Sequence, residues 1–167
     1  MRAATATALW AVFPAILLIG CNAQGPEFSS APDLGQNEAA IIVYRPSSIL
    51  LATAAPDIYL DGQKRGTLKN AGYLMFRVPT GSHLVEAKAG GLDWDAQVGE
   101  LRWMVNARPG QTHFVRLNIR SSALLPFAAA MASPAAPDRE PAKSPAYFSE
   151  IDPPDALNEL KGLRLSE

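Results

Sequence analysis

The chain has 167 residues, 48% of them hydrophobic and 19% charged, with 15 Lys and Arg against 16 Asp and Glu and a single cysteine. A net charge of −1 leaves no electrostatic footprint for nucleic acid, and one cysteine excludes an internal disulfide and a cysteine-rich metal cage. Half of the 14 prolines fall between Pro126 and Pro154, so the compact part is shorter than the length suggests.

Arg2 is followed by an uncharged, largely apolar run, residues 3–20, that closes at Cys21. A membrane-spanning helix needs about 20 apolar residues with anchoring flanks, so this layout reads as a secretory signal. Its end, Leu18-Ile19-Gly20-Cys21, resembles the bacterial lipobox, in which a small residue precedes a cysteine that is lipidated on sulfur, freed by cleavage and acylated on its new amino group. The expectation is cleavage between Gly20 and Cys21, with Cys21 as a lipid anchor and residues 1–20 discarded. The plainer alternative is an ordinary signal cut nearby with a free thiol left over. Burial of acyl chains contributes about 0.8 kcal/mol per CH₂, so one chain holds marginally and two or more hold stably. In the sorting rule of enteric bacteria an aspartate after the cysteine favours the inner membrane. Asn22 stands there instead. The expected location is therefore the cell envelope, facing the periplasm, with the outer membrane favoured over the inner. Residues 21–38, with Gly, Pro, Ser and Asn spread through them and no apolar period, read as a flexible tether.

From residue 39 short apolar stretches alternate with Gly, Pro, Asn and Asp, the signature of a mainly β domain. Strands are predicted at 40–45, 58–60, 66–68, 73–78, 83–89, 99–106 and 112–120. Asp61-Gly62 is a strong type I′ hairpin signal, although the following Gln63-Lys64-Arg65-Gly66 also suits a longer loop. In 73–78, Leu74, Phe76 and Val78 share one face and Tyr73, Met75 and Arg77 the other. In 99–106, Leu101, Trp103 and Val105 oppose Arg102 and Met104. In 112–120, His113, Val115, Leu117 and Ile119 oppose Phe114, Arg116, Asn118 and Arg120. Each strand reads as half-buried, which points to antiparallel sheets with one wet face, and a small antiparallel β-sandwich of about seven strands is the economical fold.

Residues 121–146 read as an insertion rich in Ala and Pro, whose prolines forbid a continuous helix or a central strand. Residues 147–151 suit an edge strand. Asp152 as N-cap, Pro153 and Pro154 in the first turn, Leu157 and Leu160 at helical spacing and Gly162 as a stop predict a short C-terminal helix. The sandwich domain is thus expected over residues 39–167.

The opening IIVYRPSS, the block IYLDGQKRGTLKNAGYLMFRVPTGSH, the later PGQTHFVRLNI and the closing DALNELKGL are similar, in that order, to the bacterial lipoprotein family with domain of unknown function 2846. The central Y-x-D-G followed by G-x-H also looks like PEGA-type envelope modules of carboxypeptidase-regulatory-like sandwich fold. The resemblance implies an envelope-attached β-sandwich and no assigned activity.

His83 and His113 are the two histidines, and they fall short of the three protein ligands that zinc sites usually need. His83, after Pro79-Thr80-Gly81, reads as a hydrogen-bonding partner of its own turn. Asp57 and Asp61 read as turn formers, and Asp93 and Asp95 flank Trp94 in a loop without the opposed placement of a glycosidase pair. No G-x-S-x-G elbow or phosphate loop occurs, so no catalytic residue, cofactor or metal is expected. Trp94, Tyr73 and Phe114 are candidates for an aromatic binding platform, against the plainer reading that the apolar stretch within 121–146 covers them. Arg102, Arg116 and Arg120 would make a basic stripe if their strands are neighbours. Two functions from different classes follow: a non-enzymatic envelope lipoprotein that presents a strand edge or loop to another envelope protein, or a module that binds a small envelope ligand such as a glycan or peptide.

Overall fold

The computed structural model describes residues 22–91, 94–95, 98–120 and 144–167. The signal, Gly20, Cys21, Asp93 and residues 121–143 lie outside them. The order of elements is β1 (Glu38–Arg45), β2 (Asp57–Leu60), β3 (Gln63–Thr67), β4 (Gly72–Pro79), β5 (Gly81–Lys88), β6 (Leu101–Ala107), β7 (Thr112–Ile119), β8 (Ala146–Ile151), the helix α1 (Pro153–Leu160) and β9 (Arg164–Leu165). The class is mainly β, as predicted, with one sheet ordered β8-β7-β1-β4-β9 and a second ordered β3-β2-β5-β6. The expected insertion ends earlier than residue 146, since Ala146 already opens β8.

The period-2 faces pack as read. Leu74, Phe76 and Val78 of β4 and Val115 and Leu117 of β7 meet Ile58, Val85 and Val105 of the second sheet in the main core. Burial of each such side chain contributes roughly 1.5–3 kcal/mol. β1 departs from the half-buried expectation. Its sequence EAAIIVYR is buried along both faces because it lies at the centre of the larger sheet. Ala39, Ile41 and Val43 face the main core, while Ile42 and Tyr44 face a second cluster beneath α1.

Two connections differ from hairpins. Pro79-Thr80-Gly81 carries the chain from the first sheet to the second, and Arg108-Pro109-Gly110-Gln111 carries it back. Gly81 and Gly110 take φ of +139° and +69° in these corners, conformations that cost a side-chain-bearing residue. β7 therefore enters beside β1 in the same direction, with Ala40 opposite Thr112 and Tyr44 opposite Arg116, and β9 is parallel to β4; the other pairings are antiparallel. The Asp61-Gly62 turn is the two-residue form, with φ of +53° and +79° as a type I′ turn requires.

α1 makes a third layer on the outer face of the larger sheet. Ala156 and Leu160, four residues apart, enter the second cluster with Ile42, Tyr44, Tyr73, Phe114 and Leu163. Leu157 instead points out and is 38% exposed. Asp152 occupies the N-cap position without a side-chain capping bond, and Gly162 stops the helix at φ +81°.

Tyr73 and Phe114, expected as candidates for a surface aromatic platform, are instead buried by this layer, with exposures of 5% and 2%. Among the described residues the cover comes from α1 and from the segment before β1; the apolar stretch expected to cover them falls within 121–143, outside those residues. Phe28 packs edge-on against Tyr73 with ring centroids 5.4 Å apart. Residues 22–28, expected as free tether, are bound along the β9 edge: Gly25 N–H donates to Leu165 O (3.1 Å), Leu165 N–H to Pro26 O (2.8 Å) and Phe28 N–H to Leu163 O (2.9 Å). Backbone pairing to a sheet edge needs no apolar period, so composition alone does not reveal it.

Strand direction divides the molecule into two poles. Arg45, Gly72, Ile119 and Ala146 stand at one, and Glu38, Pro79, Thr112 and Ile151 at the other.

Candidate functional site

At the Thr112 pole an open groove of about 750 Å³ runs between the ends of β7 and β8, the first turn of α1 and Ala31. Gln111, Thr112, His113, Phe114, Glu150, Ile151, Asp152, Pro153 and Leu157 line it. β7 and β8 bring Phe114 opposite Ile151, which sets His113 diagonally across from Glu150. His113 Nδ1 and Glu150 Oε1 are 2.7 Å apart, and Arg108 N–H donates to His113 Nε2 at 3.4 Å. An N–H aimed at Nε2 assigns the proton to Nδ1, which then donates to the carboxylate. Both ring nitrogens are occupied, so the pair offers shape and an acidic rim with Asp152 more than a free base. Leu157 and Ile151 supply apolar wall. The volume lies within the range of roughly 300–1,000 Å³ common to ligand clefts.

The other histidine is held by its turn, as its position suggested. His83 Nδ1 lies 2.7 Å from Asp61 Oδ2 and Nε2 lies 2.9 Å from the Pro79 carbonyl. Both nitrogens face acceptors, which favours the doubly protonated ring. Burial works against that charge, and the Asp61 carboxylate and Pro79 carbonyl outweigh it, so the His83 pKa is raised. Asp61 is held below the ordinary carboxylate value: the cost of its own burial, the largest single effect, is exceeded by the bond from His83, Leu84 N–H at 2.9 Å and the nearby positive charge taken together.

Trp94 is not a binding platform. It is fully buried, its Nε1–H donates to Gly99 O at 2.7 Å, and its ring occupies the space a side chain at residue 90 would need. The three aromatic candidates are therefore all interior, Trp94 in the main core and Tyr73 and Phe114 in the second cluster. The basic stripe does not form either. Arg102 lies in the second sheet against Glu100 and Glu86, whereas in the first sheet Arg116 pairs with Glu159 (2.6 Å) and Arg120 stacks 4.3 Å from the Tyr147 ring centroid. Asp57 braces its hairpin through Thr67 Oγ1 (2.7 Å) and Lys64 (2.6 Å), and Asp95 accepts Gly90 N–H at 3.2 Å. Among the described residues no group of three His, Cys, Asp or Glu is arranged to hold a metal.

Two features escaped the sequence reading. Arg45 is fully buried and donates to the carbonyls of Ala54 (2.6 Å), Leu51 (2.6 Å) and Leu50 (3.3 Å), fastening the loop after β1. Its place at the end of the apolar run IIVY was the available signal. Asn70 is the other: it joins residue 22 to that loop through bonds that no local pattern announces.

No curated protein and no solved structure matches the chain. The family described as protein of unknown function (DUF2846) matches residues 35–129, more than half of the chain and all of β1 to β7, and the chain belongs to that family.

Proposed function

We propose that the protein is a bacterial envelope lipoprotein, anchored through lipid on Cys21 and facing the periplasm, that works as a non-enzymatic interaction module for another envelope protein. The observation that carries the reading is the junction at residue 21. The lipobox-like Leu18-Ile19-Gly20-Cys21 ends there, and Asn22 is already bonded into the fold through Asn70. A cut between Gly20 and Cys21 thus falls one residue before the first described residue, which the fold already holds. The groove at the Thr112 pole, continuous with the edge strand β8, is the surface suited to a partner. β3, another edge, carries Lys64 and Arg65, charges of the kind that blunt strand addition.

The test is metabolic labelling with a fatty acid in a bacterium that processes lipoproteins. The full chain takes up label and fractionates with membranes, and Cys21→Ser takes up none and is left as uncut precursor or released protein; a Cys21→Ser chain that is cut, unlabelled and still membrane-attached refutes the anchor. A second reading, a module for a small glycan or peptide, is favoured by the volume and mixed apolar and acidic lining of the same groove.

A further inference from the structure

The end of the domain next to Cys21 is also the end that leaves a large apolar side chain bare. Asn70 Nδ2–H donates to Asn22 Oδ1 at 2.9 Å, and Ala23 N–H donates to the Asn70 carbonyl at 3.0 Å. The Oδ1 of the same Asn70 accepts Ser48 N–H at 3.0 Å. One amide side chain thus ties the first residue after the cysteine to the loop after β1. At the tip of that loop Ile49 is 96% exposed. The tip is held in place, because Ser48 Oγ accepts Leu50 N–H at 3.2 Å and buried Arg45 donates to the carbonyls of Leu50 and Leu51. Residues 46–56 read PSSILLATAAP, with no charged side chain to be stripped of water.

Single exposed apolar residues are ordinary on protein surfaces. What separates Ile49 from these is its neighbour. Consecutive Cα atoms lie about 3.8 Å apart, so an acylated Cys21 sits one residue step from the Asn22–Asn70–Ser48 junction and holds this pole against the lipid. We infer that this pole rests on the bilayer, with Ile49 entering the interfacial zone beside the acyl chains of Cys21 as a second, uncharged contact. The domain is then oriented on the membrane instead of swinging on a tether, and the groove at the opposite pole faces outward. This inference rests on the lipoprotein reading above.

The test uses the full chain, produced and processed in a bacterium and reconstituted into vesicles of phosphatidylethanolamine and phosphatidylglycerol. Ile49→Cys and, at the other pole, Leu157→Cys are each labelled with an environment-sensitive fluorophore; an acylated Cys21 has no thiol to react. The expected result is blue-shifted emission from the Ile49 position that lipids spin-labelled on their acyl chains quench, with water-like, unquenched emission from the Leu157 position. Unlabelled protein gives an independent reading, a slowing of amide exchange across residues 47–51 on vesicles relative to the detergent-free Cys21→Ser domain. Vesicle-bound protein whose two probes both report water, with no slowing at 47–51, overturns the inference and leaves the lipoprotein reading intact. Protein that reacts at Cys21 and stays in the supernatant overturns both.

Discussion

Arg45 holds a charge at full burial with carbonyl oxygens as its only partners among the described residues, and its Nε makes no bond. Burial lowers its pKa to about 10, so it stays cationic at neutral pH. Hydrogen bonds to charged groups contribute about 1.5–3 kcal/mol each in net terms, and the carbonyls of residues 50–54 lose three at once on truncation. Arg45→Met is expected to lower stability by about 2–4 kcal/mol in chemical denaturation. A loss under 1 kcal/mol would show that water replaces the guanidinium. His83 and Asp61 make a titrating pair. The folded His83 value lies above its ordinary 6.5. The contribution is therefore full below about pH 6.5 and fades as pH rises through the raised value. Asp61, lowered from 3.8, contributes above about pH 4 and loses that contribution as pH falls through its folded value. Unfolding curves from pH 5 to 9 are expected to show the wild type losing stability across the alkaline half, with His83→Gln flat in the same range. The carboxylate contacts of the two histidines were illegible in the sequence because the partners lie 22 residues apart for His83 and 37 for His113. The histidine turn itself was legible, because Pro79-Thr80-Gly81 marks it.

Among elements, α1 is docked by polar as well as apolar contacts. Glu159 accepts Tyr44 O–H at 2.8 Å and Arg116 at 2.6 Å, two bonds that reach from the helix to β1 and β7. Burial first, and then the Glu159 carboxylate, hold the Tyr44 hydroxyl far above its ordinary pKa. Glu159→Ala leaves the buried hydroxyl unpaired and is expected to cost about 1–3 kcal/mol, with faster amide exchange at Leu160 and Leu163; unchanged exchange would assign the docking to Ala156 and Leu160 alone. Gly72 is where the two ends of the described chain meet: an added Cβ would strike Ser166 Oγ, and would lie 2.9 Å from the Ala23 Cβ. Gly72→Ala is expected to loosen residues 22–28, read as faster exchange at Ala23 and Gly25, before β1 is affected. The strands and α1 were legible because burial alternates along β6 and from Leu74 to Pro79 of β4, and because Asp152, Pro153 and Gly162 punctuate the helix. The crossings at Thr80 and Gly110 were not, since a corner between sheets and a hairpin use the same turn residues. Trp94 was misplaced for a related reason: Gly90 and Gly91 mark a loop, and only the fold shows that the Trp94 ring turns into the core.

At the scale of the whole molecule, the two poles divide the work proposed for it. The Asn70 pole gathers residue 22, the Ile49 loop and the C-terminal Ser166, whose Oγ accepts Lys69 N–H at 3.2 Å. The Thr112 pole carries the groove with His113, Glu150 and Leu157. Leu157→Asp, at a residue that contributes to no core cluster, is expected to leave stability within about 0.5 kcal/mol of wild type while reducing crosslinking from a photoreactive residue at position 151 to the envelope protein proposed as partner. Equal crosslinking in the variant would move the interaction surface elsewhere. The mainly β architecture was readable from alternation. The polarity of the molecule was not, because it depends on residues 22–28 binding β9 across more than 130 positions of sequence. The proposed anchoring through Cys21 is read most directly in the mass of the mature N-terminal peptide from protein isolated from bacterial membranes. The expected chain begins at Cys21 and carries a thioether-linked diacylglyceryl group on sulfur and an amide-linked acyl chain on its new amino group. A mature chain with an unmodified Cys21 thiol, or one still carrying residues 1–20, would contradict it.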